Sequence, residues 1–223
     1  MTGITDNPLE EARLVLASAS PRRRELLQRL ALPFVVVPAE VDETLDLGLA
    51  IGTAVASLAE RKARAVAERC GSGLVIGADT VVVLDQLVLG KPRDAADAER
   101  MLHLLRGRAH EVITGLAVLD AASGCVERSA VVTSVQMRAA SNDEIADYVG
   151  TGEPRDKAGG YAIQGAGGAL VEAIAGCYAN VVGLPLCETA ALIRRFGVSI
   201  PAQVPNCRLP SGAPCPRLDS DAG

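Results

Sequence analysis

The chain has 223 residues, 49% of them hydrophobic and 2% aromatic, with no tryptophan and a formal net charge of −5. That length and apolar content suit one large domain or two small lobes with a substantial core. Basic residues are dispersed apart from the run Arg22, Arg23 and Arg24, which excludes a broad cationic stripe for a nucleic-acid backbone, and so few aromatics exclude recognition by extended base stacking.

Along the chain, strand-like apolar runs alternate with amphipathic helical stretches, the pattern of an α/β fold. Residues 14–16 read as a strand entering a small-residue loop. Ser20 is placed to cap a helix over 22–30, and Pro21 occupies its first turn, where a missing N–H costs nothing. Residues 34–37 form the next strand, and an acidic turn, Glu40 to Glu43, follows it. The spacing then predicts a helix over 54–69 with Val55, Leu58 and Ala59 on one face and Arg61, Lys62 and Arg64 largely on others, ended by Gly71-Ser72-Gly73. Residues 74–76 and 81–84 read as two strands, or as one interrupted at Gly77-Ala78-Asp79-Thr80, with a hairpin turn at Asp85-Gln86. A helix over 94–105 sets Ala98, Met101, Leu102 and Leu105 in register. Residues 112–119 and 130–137 form a hairpin around Ser123-Gly124.

Ser141 and Glu144 have capping-box spacing and start a further helix. The Gly-rich stretch 152–168 reads as loop, 169–174 as strand, and Pro185 as the start of a helix running to about Phe196. From Ser199 onward the chain holds five of its twelve prolines and has no apolar period. The expected organisation is therefore one domain over 12–198 and a disordered tail over 199–223.

Three arginines in a first helical turn oppose the helix dipole, a penalty that a bound anion reverses: free N–H groups, the positive helix end and guanidinium forks all suit a phosphate. The plainer alternative puts them on a solvated helix face. Asp79 stands between two apolar runs, where a carboxylate is costly to bury unless it meets a cation, a metal or a donor; the plainer alternative is a strand-end Asp satisfied by a turn or by one arginine. Glu40, Asp42 and Glu43 share one short loop, and carboxylates in a chain with only His103 and His110 suit Mg²⁺ or Mn²⁺ better than Zn²⁺.

Lys91 follows Val88-Leu89-Gly90 at a strand exit, and Lys157 lies in a charged, Gly-rich loop; both also fit a simply exposed lysine. Gln164, among glycines, offers a donor and an acceptor to a base edge. The P-loop pattern, the dinucleotide fingerprint after the first strand and the G-x-S-x-G elbow are all missing. Six cysteines stand without a C-x-x-C pair, so neither a zinc site nor a disulfide framework is read. No apolar run reaches the ~20 residues that cross a bilayer. Residues Asp6, Glu10 and Glu11 do not fit a signal peptide, so the expected location is the cytoplasm, with no membrane partner.

The motifs Ala17-Ser18-Ala19-Ser20-Pro21-Arg22-Arg23, Val41-Asp42-Glu43, Gly77-Ala78-Asp79-Thr80, Lys91-Pro92, Asp156-Lys157-Ala158-Gly159, Ile163-Gln164-Gly165 and Asn180-Val181-Val182-Gly183-Leu184-Pro185 together resemble the Maf family of nucleoside triphosphate pyrophosphatases, in order and over about residues 14–196. Arg22, Thr80 and Gln164 stand where the branch hydrolysing dTTP and UTP carries Arg, Thr and Gln, whereas the 7-methyl-GTP branch has different wording. The resemblance implies a mixed twisted sheet with flanking helices in two lobes around a nucleotide-binding cleft, frequent homodimers, and a house-cleaning role. Two departures stand out: Cys177 replaces a residue more often polar or acidic, and the tail has no family counterpart.

The expected reaction is attack of water on the α-phosphorus, giving the monophosphate and pyrophosphate. The resemblance implies Asp79, Lys91 and Glu43 as catalytic residues. It implies Ser18, Ser20, Arg22, Arg23, Lys62, Thr80, Lys157 and Gln164 as substrate-binding residues, with Glu43 and Asp79 holding Mg²⁺ or Mn²⁺. Two rivals remain: a nucleotide-binding regulator of cell division without turnover, and a phosphatase acting on monoesters.

Overall fold

The computed structural model describes residues 13–46 and 48–200. Their helices are α1 (Pro21–Gln28), α2 (Ile51–Cys70), α3 (Ala95–Leu105), α4 (Asn142–Gly150), α5 (Tyr178–Val182) and α6 (Leu186–Arg195). Their strands are β1 (Leu14–Leu16), β2 (Val35–Val36), β3 (Leu74–Leu84), β4 (Leu87–Leu89), β5 (Ala109–Asp120), β6 (Val126–Met137) and β7 (Val171–Ala175). These seven strands make one mixed sheet in the order β2-β1-β3-β5-β6-β7, with β4 beside β3. Strands β1 and β2, and β1 and β3, run parallel; β3 and β4, and β6 and β7, run antiparallel. The α/β class read from the alternating pattern holds.

The described chain divides into two compact units, residues 13–79, 115–130 and 186–200 in the first, and 80–114 and 131–185 in the second. In the first, α2 lies on β1 and β3 through small side chains: Ala59, Ala63 and Val66 pack with Val15, Ala17, Val75 and Ala117. The approach is close enough that a Cβ on Gly77 would sit 1.9 Å from the Ala59 carbonyl oxygen. Only glycine fits there, and this contact sets the height of α2 over the sheet. Two sequence expectations are corrected at this point. Residues 74–84 form one uninterrupted strand, in which Gly77 is the point where α2 comes down on the sheet rather than a break. Lys62 does not share the outer face of α2 with Arg61 and Arg64; it follows Leu58 by one turn and is buried.

The second unit closes around Met101, Leu102 and Leu105 of α3, Ile145 and Tyr148 of α4, and Val135, Tyr161 and Leu170. The capping box expected at Ser141 is in place, and Asp94, read on sequence as the first helical residue, is the N-cap of α3 instead. Asp94 accepts from the Asp97 N–H at 2.8 Å, and Ser141 and Glu144 form the reciprocal capping box of α4. Asp85 and Gln86, with φ of 47° and 72°, make the tight β3–β4 hairpin turn that two left-handed residues allow. The stretch 152–168 holds more than loop, with 3₁₀ turns at Glu153–Asp156 and Ala158–Gly160 and a third starting at Ala166. The short helix α5 had no forecast; its five residues are too few for a periodic signal. Residues 201–223 of the expected tail lie outside the described residues. Ile200 is buried, and its carbonyl accepts from Arg194 Nε at 3.2 Å.

Candidate active site

Strand β1 ends at Leu16, and the loop that follows is folded back on itself by its serines. The Ser20 N–H donates to Ser18 Oγ at 3.2 Å, and Ser20 is the N-cap of α1, accepting from the Arg23 N–H at 3.5 Å. Pro21 takes the first helical position. Of the three arginines, Arg24 points to solvent, Arg22 is half-buried, and half-buried Arg23 turns back so that Nη1 donates to Ser18 Oγ at 3.3 Å. Burial lowers the Arg23 guanidinium pKa; Asp79 opposes this, Arg22 reinforces it and Glu43 opposes it. The carboxylates Asp79 and Glu43 are therefore close enough for their charge to act on Arg23.

What gathers those two carboxylates is Lys62. Its Nζ lies 2.7 Å from Asp79 Oδ1 and 2.7 Å from Glu43 Oε1, while the lysine side chain is 8% exposed, Asp79 15% and Glu43 56%. Of the partners considered for Asp79 on sequence, a cation holds, and that cation is a lysine. Asp42 goes elsewhere: its Oδ1 accepts from the Thr44 N–H at 2.9 Å and from Thr44 Oγ1 at 2.7 Å, which lowers its pKa and shapes the acidic turn. Arg61, the neighbour of Lys62, donates to the Thr44 carbonyl at 2.6 Å. Helix α2 thus anchors the Glu43 loop twice, once through its backbone and once through the carboxylate.

The structure brings together Ser18, Ser20, Arg23, Glu43, Lys62 and Asp79, all in the first unit. Thr80, Lys91, Lys157 and Gln164 belong to the second. There Thr80 Oγ1 lies 2.9 Å from Thr114 Oγ1, and because Thr114 donates to the Asn180 carbonyl at 3.1 Å, Thr80 is the donor of the pair. The buried Asn180 amide in turn donates to the Val112 carbonyl and to Thr133 Oγ1, both at 2.9 Å. Lys91 is exposed just after β4, and Lys157 pairs with Asp156. Their loops are joined where the Gly159 N–H donates to the Gly90 carbonyl at 3.0 Å. Gln164 is exposed at the tip of the turn that precedes the third 3₁₀ segment.

Sequence reasoning gave no role to Thr114, Tyr148 or Glu153, whose positions only the fold reveals. Among the described residues no three His, Cys, Asp or Glu side chains cluster as a metal site, and Cys70 and Cys125 are free thiols. Cys177, the family departure, is buried at the start of α5, where a small apolar side chain fits and its N–H donates to Thr133 Oγ1 at 3.1 Å.

The family model described as Maf-like protein matches residues 13–196. A dTTP/UTP pyrophosphatase of Desulforamulus reducens is 51% identical over 187 residues, which cover 84% of this chain and 98% of that protein. One from Anaeromyxobacter dehalogenans is 54% identical over 195 residues, covering 86% and 98%, and one from Myxococcus xanthus is 50% identical over 193 residues, covering 86% and 96%.

Proposed function

The chain belongs to the Maf family, and from that membership we propose that it is a nucleoside triphosphate pyrophosphatase that hydrolyses dTTP and UTP to the monophosphate and pyrophosphate. The observation that carries the chemistry is the buried Lys62 ammonium with Asp79 and Glu43 each at 2.7 Å, beside Arg23 on the serine-folded start of α1. Such a cluster joins a fixed carboxylate to fixed cations, which is what water attack on a polyphosphate requires.

In this reading Asp79 orients the water and accepts its proton as the oxygen attacks the α-phosphorus, and pyrophosphate leaves. Lys62 holds the Asp79 carboxylate in one position. Arg22, Arg23 and Lys91 neutralise the phosphate chain, with Lys157 added from its loop, while Ser18 and Ser20 shape the loop that receives it. Asp79 and Glu43 suit Mg²⁺ or Mn²⁺, since two hard carboxylate donors held on one ammonium match ions that take one or two carboxylates alongside substrate phosphates. Bound there through the triphosphate, the ion would stabilise the charge on the leaving pyrophosphate. Thr80 and Gln164 are assigned to the nucleoside, Gln164 reading the O4 acceptor and N3–H donor that thymine and uracil share and cytosine reverses.

We also assign the protein a house-cleaning role in the cytoplasm as a homodimer, which light scattering would check. Among the described residues no helix is long and apolar enough to cross a membrane. The decisive assay offers the purified protein the natural triphosphates, ITP and 7-methyl-GTP with Mg²⁺ or Mn²⁺ and measures pyrophosphate and orthophosphate separately. Pyrophosphate from dTTP and UTP well ahead of CTP and the purines is expected. Nucleotide binding without any release would instead identify a regulator, orthophosphate a monoester phosphatase, and 7-methyl-GTP as best substrate a different branch. In the same assay Asp79→Asn should retain fold and lose about 10²–10⁴-fold in turnover.

A further inference from the structure

The turn that carries Gln164 is held by a carboxylate. Glu153 Oε1 lies 3.0 Å from the Tyr148 hydroxyl, which donates to it, and 3.2 Å from the Gly167 N–H; Oε2 accepts from the Ala166 N–H at 3.0 Å. The Tyr148 oxygen itself accepts from the Ala162 N–H at 3.2 Å. One side-chain pair therefore fastens the backbone on both sides of Gln164, at 162 and at 166–167. The packing is tight: a Cβ on Gly165 would meet Glu153 Oε2 at 2.3 Å, and one on Gly167 would meet the Tyr148 hydroxyl at 2.5 Å. This accounts for the spacing Gln164-Gly165-Ala166-Gly167 physically, because each glycine is where a clamp atom touches the turn.

We propose that Glu153, gripped by Tyr148, is a positioning residue for base selection, fixing the Gln164 turn so that the amide presents its donor and acceptor in one orientation to a 4-oxo pyrimidine. The inference rests on the assignment of Gln164 to the base. A two-point contact from an amide at an exposed loop tip discriminates only if its backbone is held, since a turn free to move loses the distance and angle at which both amide atoms meet the base edge. The donors from Gly167, Ala166 and Tyr148, together with the charge of Lys157, hold the Glu153 carboxyl below its ordinary pKa against the raising effect of its burial, so it stays an all-acceptor group at neutral pH.

Three substitutions test this. Glu153→Gln keeps the shape but turns one acceptor into a donor facing a backbone N–H. Tyr148→Phe removes one hydroxyl. Gly165→Ala acts from the other side, since φ of −103° at Gly165 suits any residue and the new methyl's conflict is with the Glu153 carboxylate. Each should reduce the ratio of kcat/KM for UTP over CTP by about tenfold, through KM more than kcat, and speed hydrogen exchange of the 162–167 amides. In a Gln164→Ala background, Glu153→Gln should change that ratio no further. A Glu153→Gln enzyme with undiminished discrimination, while Gln164→Ala abolishes it, would overturn the positioning role and leave the base assignment standing. Unchanged discrimination in Gln164→Ala alone would overturn the base assignment, and this proposal with it. If Glu153→Gln does not fold, Gly165→Ala and Tyr148→Phe decide on the same criteria.

Discussion

Replacing Lys62 by Met removes the ammonium that two carboxylates share while keeping the buried stem. Breaking a buried ion pair from one side costs roughly 3–5 kcal/mol, and an exposed pair about 0–1. Asp79, 15% exposed, lies nearer the first case, although the charge of Arg23 partly compensates it; Glu43, 56% exposed, belongs to the second. The expected loss is about 2 kcal/mol, which for a domain of this size lowers Tm by about 4–8 °C. Turnover should fall by about 10²-fold or more, because the Asp79 carboxylate is no longer held. Adding Asp79→Asn to Lys62→Met removes the stranded charge and should restore at least half of the lost Tm while restoring no activity. Calorimetry and pyrophosphate release on the two single variants and the double variant complete the cycle. A Lys62→Met protein that melts and turns over like the unsubstituted chain would refute the claim that this ion pair organises the site.

Arg23→Ala should weaken nucleotide binding tenfold or more by titration calorimetry yet leave the apo Tm nearly unchanged, because its charge sits at the positive end of α1; a large apo destabilisation with intact affinity would make Arg23 structural. His110 is buried with Nε2 2.7 Å from the Tyr161 hydroxyl, and burial lowers its pKa from 6.5 to about 4. Between those values the unfolded chain binds the proton that the folded one refuses, so stability is full above pH 6.5 and falls as pH drops toward 4, by at most about 3 kcal/mol. Denaturant titrations at pH 7 and pH 5 should show this loss, and His110→Gln should lack it; equal pH slopes in both proteins would contradict it. Truncation after Ile200 should keep solubility and activity, because it retains the Arg194–Ile200 contact; an inactive truncation would show that the last 23 residues take part in the fold.

Much of this architecture could be read from local signals that agree with the fold. Ser20-Pro21 and the Ser141/Glu144 pair each mark a helix start because a cap satisfies N–H groups within three residues, a purely local matter. The Asp85-Gln86 turn is likewise decided by its two residues and the strands that flank it. Misreadings arose where distant residues decide. Gly77 looks like a strand break until Ala59 of α2 is placed against it, and Lys62 looks like a surface lysine until Asp79 and Glu43, 17 and 19 positions away, are brought to it.

The candidate site shows the same division more sharply. Its charged residues could be listed from motif wording, but wording does not say which of them touch. Asp42 and Glu43 are adjacent in the same acidic turn, yet one carboxylate closes its own loop through Thr44 while the other reaches Lys62. That choice is made by α2, whose backbone approach at Gly77 sets where the Lys62 ammonium stands and whose Arg61 pins the Thr44 carbonyl. A glycine in a strand thus lets the helix stand where its lysine meets both Glu43 and Asp79. Function is encoded here less in the charged residues than in the small ones that let a helix come close enough to deliver its lysine.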